Sequence, residues 1–111
     1  MLTQSPTRER DNLILENSSH VTAGIGDLII HLHRGNGGEA AAVADAVTGR
    51  LKIIMQSGMD PDSFPMQRAQ QTLFAIDEVR MLLAQRDFGA AVDAARDAGK
   101  EWKQKPAAEL P

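Results

Sequence analysis

Apolar residues recur at intervals of three and four along four stretches of the chain, and turn-forming residues separate these stretches. A three-four spacing places apolar side chains along one face of an α-helix. Glycine, proline and aspartate end helices or form tight turns, and they cluster at Gly35–Gly38, Met59–Asp62 and Arg86–Asp87. The sequence therefore predicts four amphipathic helices, over residues of about 6–35, 39–57, 64–85 and 87–103.

Short connections between helices that each carry one apolar face favour an all-α antiparallel bundle of four helices. The 111 residues suit one domain, 1–111, and we expect flexible ends at about 1–5 and 104–111. The chain has three Phe, one Trp and no Tyr, so Ala and aliphatic side chains must build the core. This composition favours closely packed helices over a β-sandwich.

Two glycines, Gly24 and Gly26, lie inside the first predicted helix. Each costs about 1 kcal/mol relative to alanine at a helix interior. The apolar positions Val21, Ile25 and Leu28 nevertheless keep a constant helical phase across them. We therefore predict one continuous or kinked helix, and only the structure decides whether the glycines break it.

Several classes of function lack their sequence signals. The chain has no cysteine, which removes disulfides, thiolate metal sites and cysteine nucleophiles. It has no nucleophile motif, and the run Arg34–Gly38 lacks the lysine and hydroxyl residue of a phosphate-binding loop. The net charge of -3 with scattered basic residues does not indicate nucleic-acid binding. Without an apolar leader or a membrane-length apolar run, we expect a cytoplasmic, non-enzymatic protein with no cofactor.

A polar stripe on the first helix carries Glu16, His20, Asp27 and His31. An acid four residues before a histidine is ordinary helix-surface pairing. The two histidines lie about 16 Å apart on a straight helix, so they cannot share one metal ion. We predict a solvated face with no metal site. The alternative is a metal or ligand sensor that takes further ligands from another helix or subunit.

The first helix is longer than the second and fourth, and spans about 45 Å if it continues to Gly35. Part of it should then overhang the bundle and carry exposed apolar side chains, which is typical of a contact with a partner or a second copy. We predict that the partner-binding residues are Leu13, Ile14, Leu15 and Val21.

The methionines allow two interpretations. Thioether side chains repack easily, so they can line an adaptable binding groove, but they are also common filler in helical cores. The core interpretation is the more usual one for the four internal methionines, Met55, Met59, Met66 and Met81.

The corner between the third and fourth helices resembles the centre of one tetratricopeptide hairpin. Phe88 follows the Arg86-Asp87 corner, and Ala91 stands three residues further on, within the stretch Leu82–Val92. A single hairpin of this kind does not build a repeat solenoid.

The chain as a whole resembles the flagellin-type export chaperones in helix order, length and its final stretch. That stretch runs from Leu73 through Leu82-Leu83 to Ala98–Trp102. The family consists of small acidic helical bundles that hold an unfolded secretion substrate. The resemblance implies a bacterial adaptor or chaperone that binds a protein segment. The alternative is a small dimeric regulator, such as a phage or bacterial transcription accessory factor, that binds itself.

Overall fold

The computed structural model describes the backbone of residues 6–105 and the side chains from Arg8 onward. Within these residues the chain forms four helices, each predicted boundary lying within two residues of the observed one. Flexible ends were expected at residues 1–5 and 104–111. Residues 1–5, and residues 106–111 of the second end, lie outside the described residues. The helices are α1 (Pro6–His33), α2 (Gly37–Met55), α3 (Phe64–Ala84) and α4 (Phe88–Trp102).

The helices form the expected all-α four-helix bundle. α1 packs against α2 and α4, and α3 packs against the same two helices, so α1 lies diagonally opposite α3 and α2 lies diagonally opposite α4. Short connections make neighbours antiparallel, so each apolar face points to one shared core. No helix within residues 6–105 is long and apolar enough to cross a membrane.

The four helices contribute side chains of different size to the core. α1, α2 and α3 supply its large aliphatic side chains, such as Leu28, Leu51 and Ile76, all of which are fully buried. α4 contributes mainly alanines, which let it lie close to its neighbours. Its one large buried residue, Trp102, lies at its C-terminal end.

Side-chain caps fix the start of the last two helices. The Ser63 hydroxyl accepts a hydrogen bond from Met66 N at 3.4 Å, and Asp87 accepts one from Ala90 N at 3.1 Å. Both residues were expected to act as caps, because serine and aspartate satisfy free amides of a first turn. α2 ends at Met55, three residues before the glycine that was expected to close it. Gly58 adopts φ 89° in the following turn, a conformation that favours glycine.

α1 is unbroken at its two internal glycines, which confirms the continuous helix. A Cβ atom on Gly24 would lie 2.5 Å from Val47 Cγ2, so the glycine is required by close packing of α1 on α2. A Cβ atom on Gly26 would meet nothing within 4 Å. Packing within residues 6–105 therefore explains Gly24 but not Gly26.

Candidate partner-binding groove

α1 extends past the end of α4. Its 28 residues span about 42 Å, whereas the 15 residues of α4 span about 22 Å. The two helices are aligned where Trp102 Nε1 donates a hydrogen bond to Thr22 Oγ1 at 2.9 Å. The part of α1 that precedes Thr22 therefore continues beyond the end of α4, as the helix lengths predicted.

Two of the four predicted partner-binding residues are exposed on this part of α1. The exposed fraction is 40% for Leu13 and 68% for Leu15. Ile14 is half-buried and packs against the core. Val21 does not belong to the exposed surface, because it is fully buried on the core-facing stripe with Ile25. The exposed part of the predicted site therefore consists of Leu13 and Leu15, with the half-buried Ile14 between them.

A groove lies beside this segment, between α1 and the connection from α2 to α3. Its apolar wall combines Ile14 and Leu15 with Met59 and Pro65, and its volume is about 510 Å³. We call it the end groove. Its other lining residues are polar: Arg10, Asp11 and Asp60 supply charges of both signs, and Ser63 supplies a hydroxyl group.

Local hydrogen bonds hold the wall formed by the α2–α3 connection. The Asp60 carboxylate accepts a hydrogen bond from Asp62 N at 2.9 Å, and Ser63 N donates to Asp60 O at 3.0 Å. Ser63 then caps α3, so Pro65 is fixed in its first turn. The end groove is thus shaped by a structured turn.

An aromatic and cationic cluster fixes the end of α4. The Arg68 guanidinium carbon lies 4.5 Å from the centroid of the Trp102 ring and 5.9 Å from that of Phe64. Burial lowers the pKa of Arg68, but an arginine stays charged at neutral pH. A desolvated guanidinium over an aromatic face is attracted to it. The cluster therefore links α3 to the last turn of α4.

The sequence did not include Met59 and Pro65 among the predicted partner-binding residues. Met59 was assigned to the turn and was one of the four methionines left between groove and core, whereas Pro65 was expected only in the first turn of the third helix. The methionines divide between the two interpretations: Met66 is buried, whereas the exposed fraction of Met81 is 53%. Met59 lines the end groove as well as contacting the core.

The polar stripe on α1 does not converge on one point. His20 and Asp27 are exposed, and His31 Nδ1 lies 3.0 Å from Glu39 Oε2 on α2, not beside Asp27. In the part of the chain from 6 to 105, no three His, Asp or Glu side chains are placed to hold a metal ion. A sensor built on this face would need ligands from a second chain.

A larger concavity, of about 770 Å³, lies at the opposite end of the bundle beside Gly37 and Gly38. Of the two arginines that line it, Arg80 and Arg86, the first is already paired with Asp45 at 3.0 Å and Asp77 at 3.6 Å. The loop at residues 34–36, which joins α1 to α2 beside this concavity, is the helix–helix turn that we expected. Volume alone therefore does not select this concavity over the end groove.

The end groove combines an apolar surface with charged and hydroxyl groups. Protein–protein interfaces likewise combine apolar and polar contacts. Comparisons with known protein families, with curated proteins and with solved structures find no match for this chain.

Proposed function

We propose that the protein is a non-enzymatic helical adaptor or chaperone that binds a segment of a partner protein in the end groove. The observation that carries the proposal is the 68% exposure of Leu15 beside an apolar groove, at the end where α4 stops. A large aliphatic side chain that lines a groove gains free energy when a partner covers it.

The export chaperones supply the specific form of this proposal. Their helix order and length resemble those of this chain, and they hold a secreted protein before export. A secretion substrate is thus the first class of partner to test. No described residue of α4 lines the end groove, so an extended or helical segment has room to lie along α1 there.

We predict that Leu15→Asp weakens binding of the partner about 10- to 100-fold, because burial of one leucine contributes about 1.5–3 kcal/mol. Ile30→Asp is the matched control. Ile30 is 48% exposed on the same helix but lies about 22 Å away along the axis. Cell extract is passed over immobilised wild type and each variant, and the captured proteins are quantified by mass spectrometry.

A protein retained by wild type and Ile30→Asp but lost from Leu15→Asp supports the end groove. Retention by all three, or equal loss from both variants, contradicts it. Both substitutions are on exposed side chains, and cooperative thermal melting of each variant shows that it remains folded. Ile14→Asp is unsuitable for this purpose because Ile14 packs against the core.

A separate observation favours a second candidate, the dimeric regulator. Phe74 is 79% exposed and Met81 is 53% exposed, and their spacing of seven residues places them on the same face of α3. We predict a concentration-dependent mass above the 12.0 kDa monomer, abolished by Phe74→Ser/Met81→Ser. Sedimentation equilibrium measures it, and a constant monomer mass for wild type contradicts self-association through this face.

A further inference from the structure

A second groove, of about 330 Å³, runs between α1 and α4. The residues that line it on the α1 side are uncharged, and Trp102 is its aromatic lining residue on the α4 side. We call it the side groove, and it is lined by Thr22, Ile25, Gly26, Ile29, Arg96, Gly99, Lys100, Trp102 and Lys103.

One edge of the side groove is basic. Arg96, Lys100 and Lys103 are spaced by four and three residues, so they follow one another along one face of α4. Lys100 and Lys103 form no ion pair with any residue of the described range 6–105. The acids of the same helix, Asp93, Asp97 and Glu101, do not line the groove. In a chain of net charge -3, this edge favours a negatively charged ligand.

The α1 side of the groove has the spacing of a helix-packing seam. Leu15, Thr22, Gly26 and Ile29 follow one another at intervals of seven, four and three residues, which places them on one side of α1. This seam runs from the side groove to the end groove, because Leu15 lines the latter. A second helix is the ligand that fits a seam of this period.

A helix bound in the side groove would explain why a glycine stands at position 26. Its Cβ position is open, although glycine at a helix interior costs about 1 kcal/mol relative to alanine. A residue without a side chain lets another backbone approach closely. No contact within residues 6–105 uses that freedom, and the position lies on the floor of the side groove.

We infer that the side groove binds an acidic amphipathic helix of a partner protein. Its apolar side lies on the seam of α1, and its carboxylates face Lys100 and Lys103. The inference rests on the proposed function, since the ligand is a protein segment, and adds the conformation and charge of that segment.

The single Trp makes the test direct, because Trp102 lines the side groove. Two synthetic peptides without Trp, each of about five helical turns, carry leucines at the same heptad positions. One carries Glu and the other Lys at the remaining positions. The emission of Trp102 in the full chain reports occupancy, and titration calorimetry gives the affinity independently.

We expect the acidic peptide to change Trp102 emission saturably and to bind at least about tenfold more tightly than the basic one. Lys100→Gln/Lys103→Gln should weaken acidic-peptide binding by about tenfold and reduce its salt dependence, since two exposed charge contacts are lost. The matched control is Lys52→Gln, which removes an exposed lysine of α2 that does not line the side groove. It should leave the affinity unchanged.

Equal affinity for the two peptides, no binding of the acidic peptide, or an unchanged affinity in the lysine pair variant overturns the inference. Calorimetric binding without a change in Trp102 emission also overturns it, because the peptide then lies elsewhere. If the protein binds the two peptides equally well but Leu15→Asp still loses the captured partner, the adaptor function is supported and the inference on the side groove is wrong. If the lysine pair controls peptide binding but Leu15→Asp affects neither ligand, the side groove stands and the end groove is wrong.

Discussion

Replacement of Trp102 by alanine should lower the free energy of unfolding by about 3–5 kcal/mol, the usual cost of truncating a large buried aromatic residue. Trp102 is only 6% exposed, donates to Thr22 and stacks with Arg68, so one side chain links the end of α4 to both α1 and α3. The rest of α4 buries mainly alanines, which offer little compensation.

Two further variants separate the contributions. Trp102→Phe retains an aromatic ring beside Arg68 but removes the donor to Thr22, so we expect a smaller loss of about 1–2 kcal/mol. Phe74→Ala removes an aromatic side chain that is 79% exposed, and should change stability by less than about 0.5 kcal/mol. Urea unfolding followed by circular dichroism measures all three. A loss for Trp102→Ala as small as that for Phe74→Ala would contradict the anchoring role.

Alanine should have opposite effects at the two glycines of α1. At Gly26 it meets nothing within 4 Å and should raise the free energy of unfolding by about 1 kcal/mol, through helix propensity. At Gly24 the same gain is outweighed by the overlap with Val47, because overpacking a close contact costs about 1–3 kcal/mol. The balance of these two effects should make the free energy of unfolding of Gly24→Ala about 1 kcal/mol lower than that of wild type.

Val47 is unable to relieve the overlap by turning, since a β-branched side chain in a helix has one strongly preferred rotamer. A double-mutant cycle tests this explanation. Val47→Ala removes the interfering methyl group, so adding Gly24→Ala to that background should no longer destabilise the protein. The same loss from Gly24→Ala in both backgrounds would show that Val47 is not its cause. Urea unfolding of the four proteins supplies the comparison.

The two proposed grooves depend on the same anchored helix end. Trp102 lines the side groove, and the uncovered part of α1 that forms the end groove begins where Trp102 meets Thr22. Variants that loosen α4 should therefore weaken binding at both grooves. The binding tests accordingly use Leu15, Lys100 and Lys103, which are exposed and outside the core.

The helices and their limits were predictable because their causes are local. Apolar spacing of three and four residues identifies the face that each helix buries, and Ser63 and Asp87 cap the amides of their own helices. Helix length is likewise a property of sequence, so the overhang of α1 and the exposure of Leu13 and Leu15 were also predictable.

The grooves themselves were decided by the tertiary structure. The sequence determined which side chains are apolar, charged or helix-ending, but the level at which α4 stops beside α1 depends on contacts between distant residues, such as Trp102 with Thr22. The same register buries Val21 and turns His31 toward Glu39. Periodicity defines a face around one helix axis. It does not tell which neighbouring helix covers that face or at what axial position the two helices are in register. Both depend on how the side chains of the two helices interdigitate.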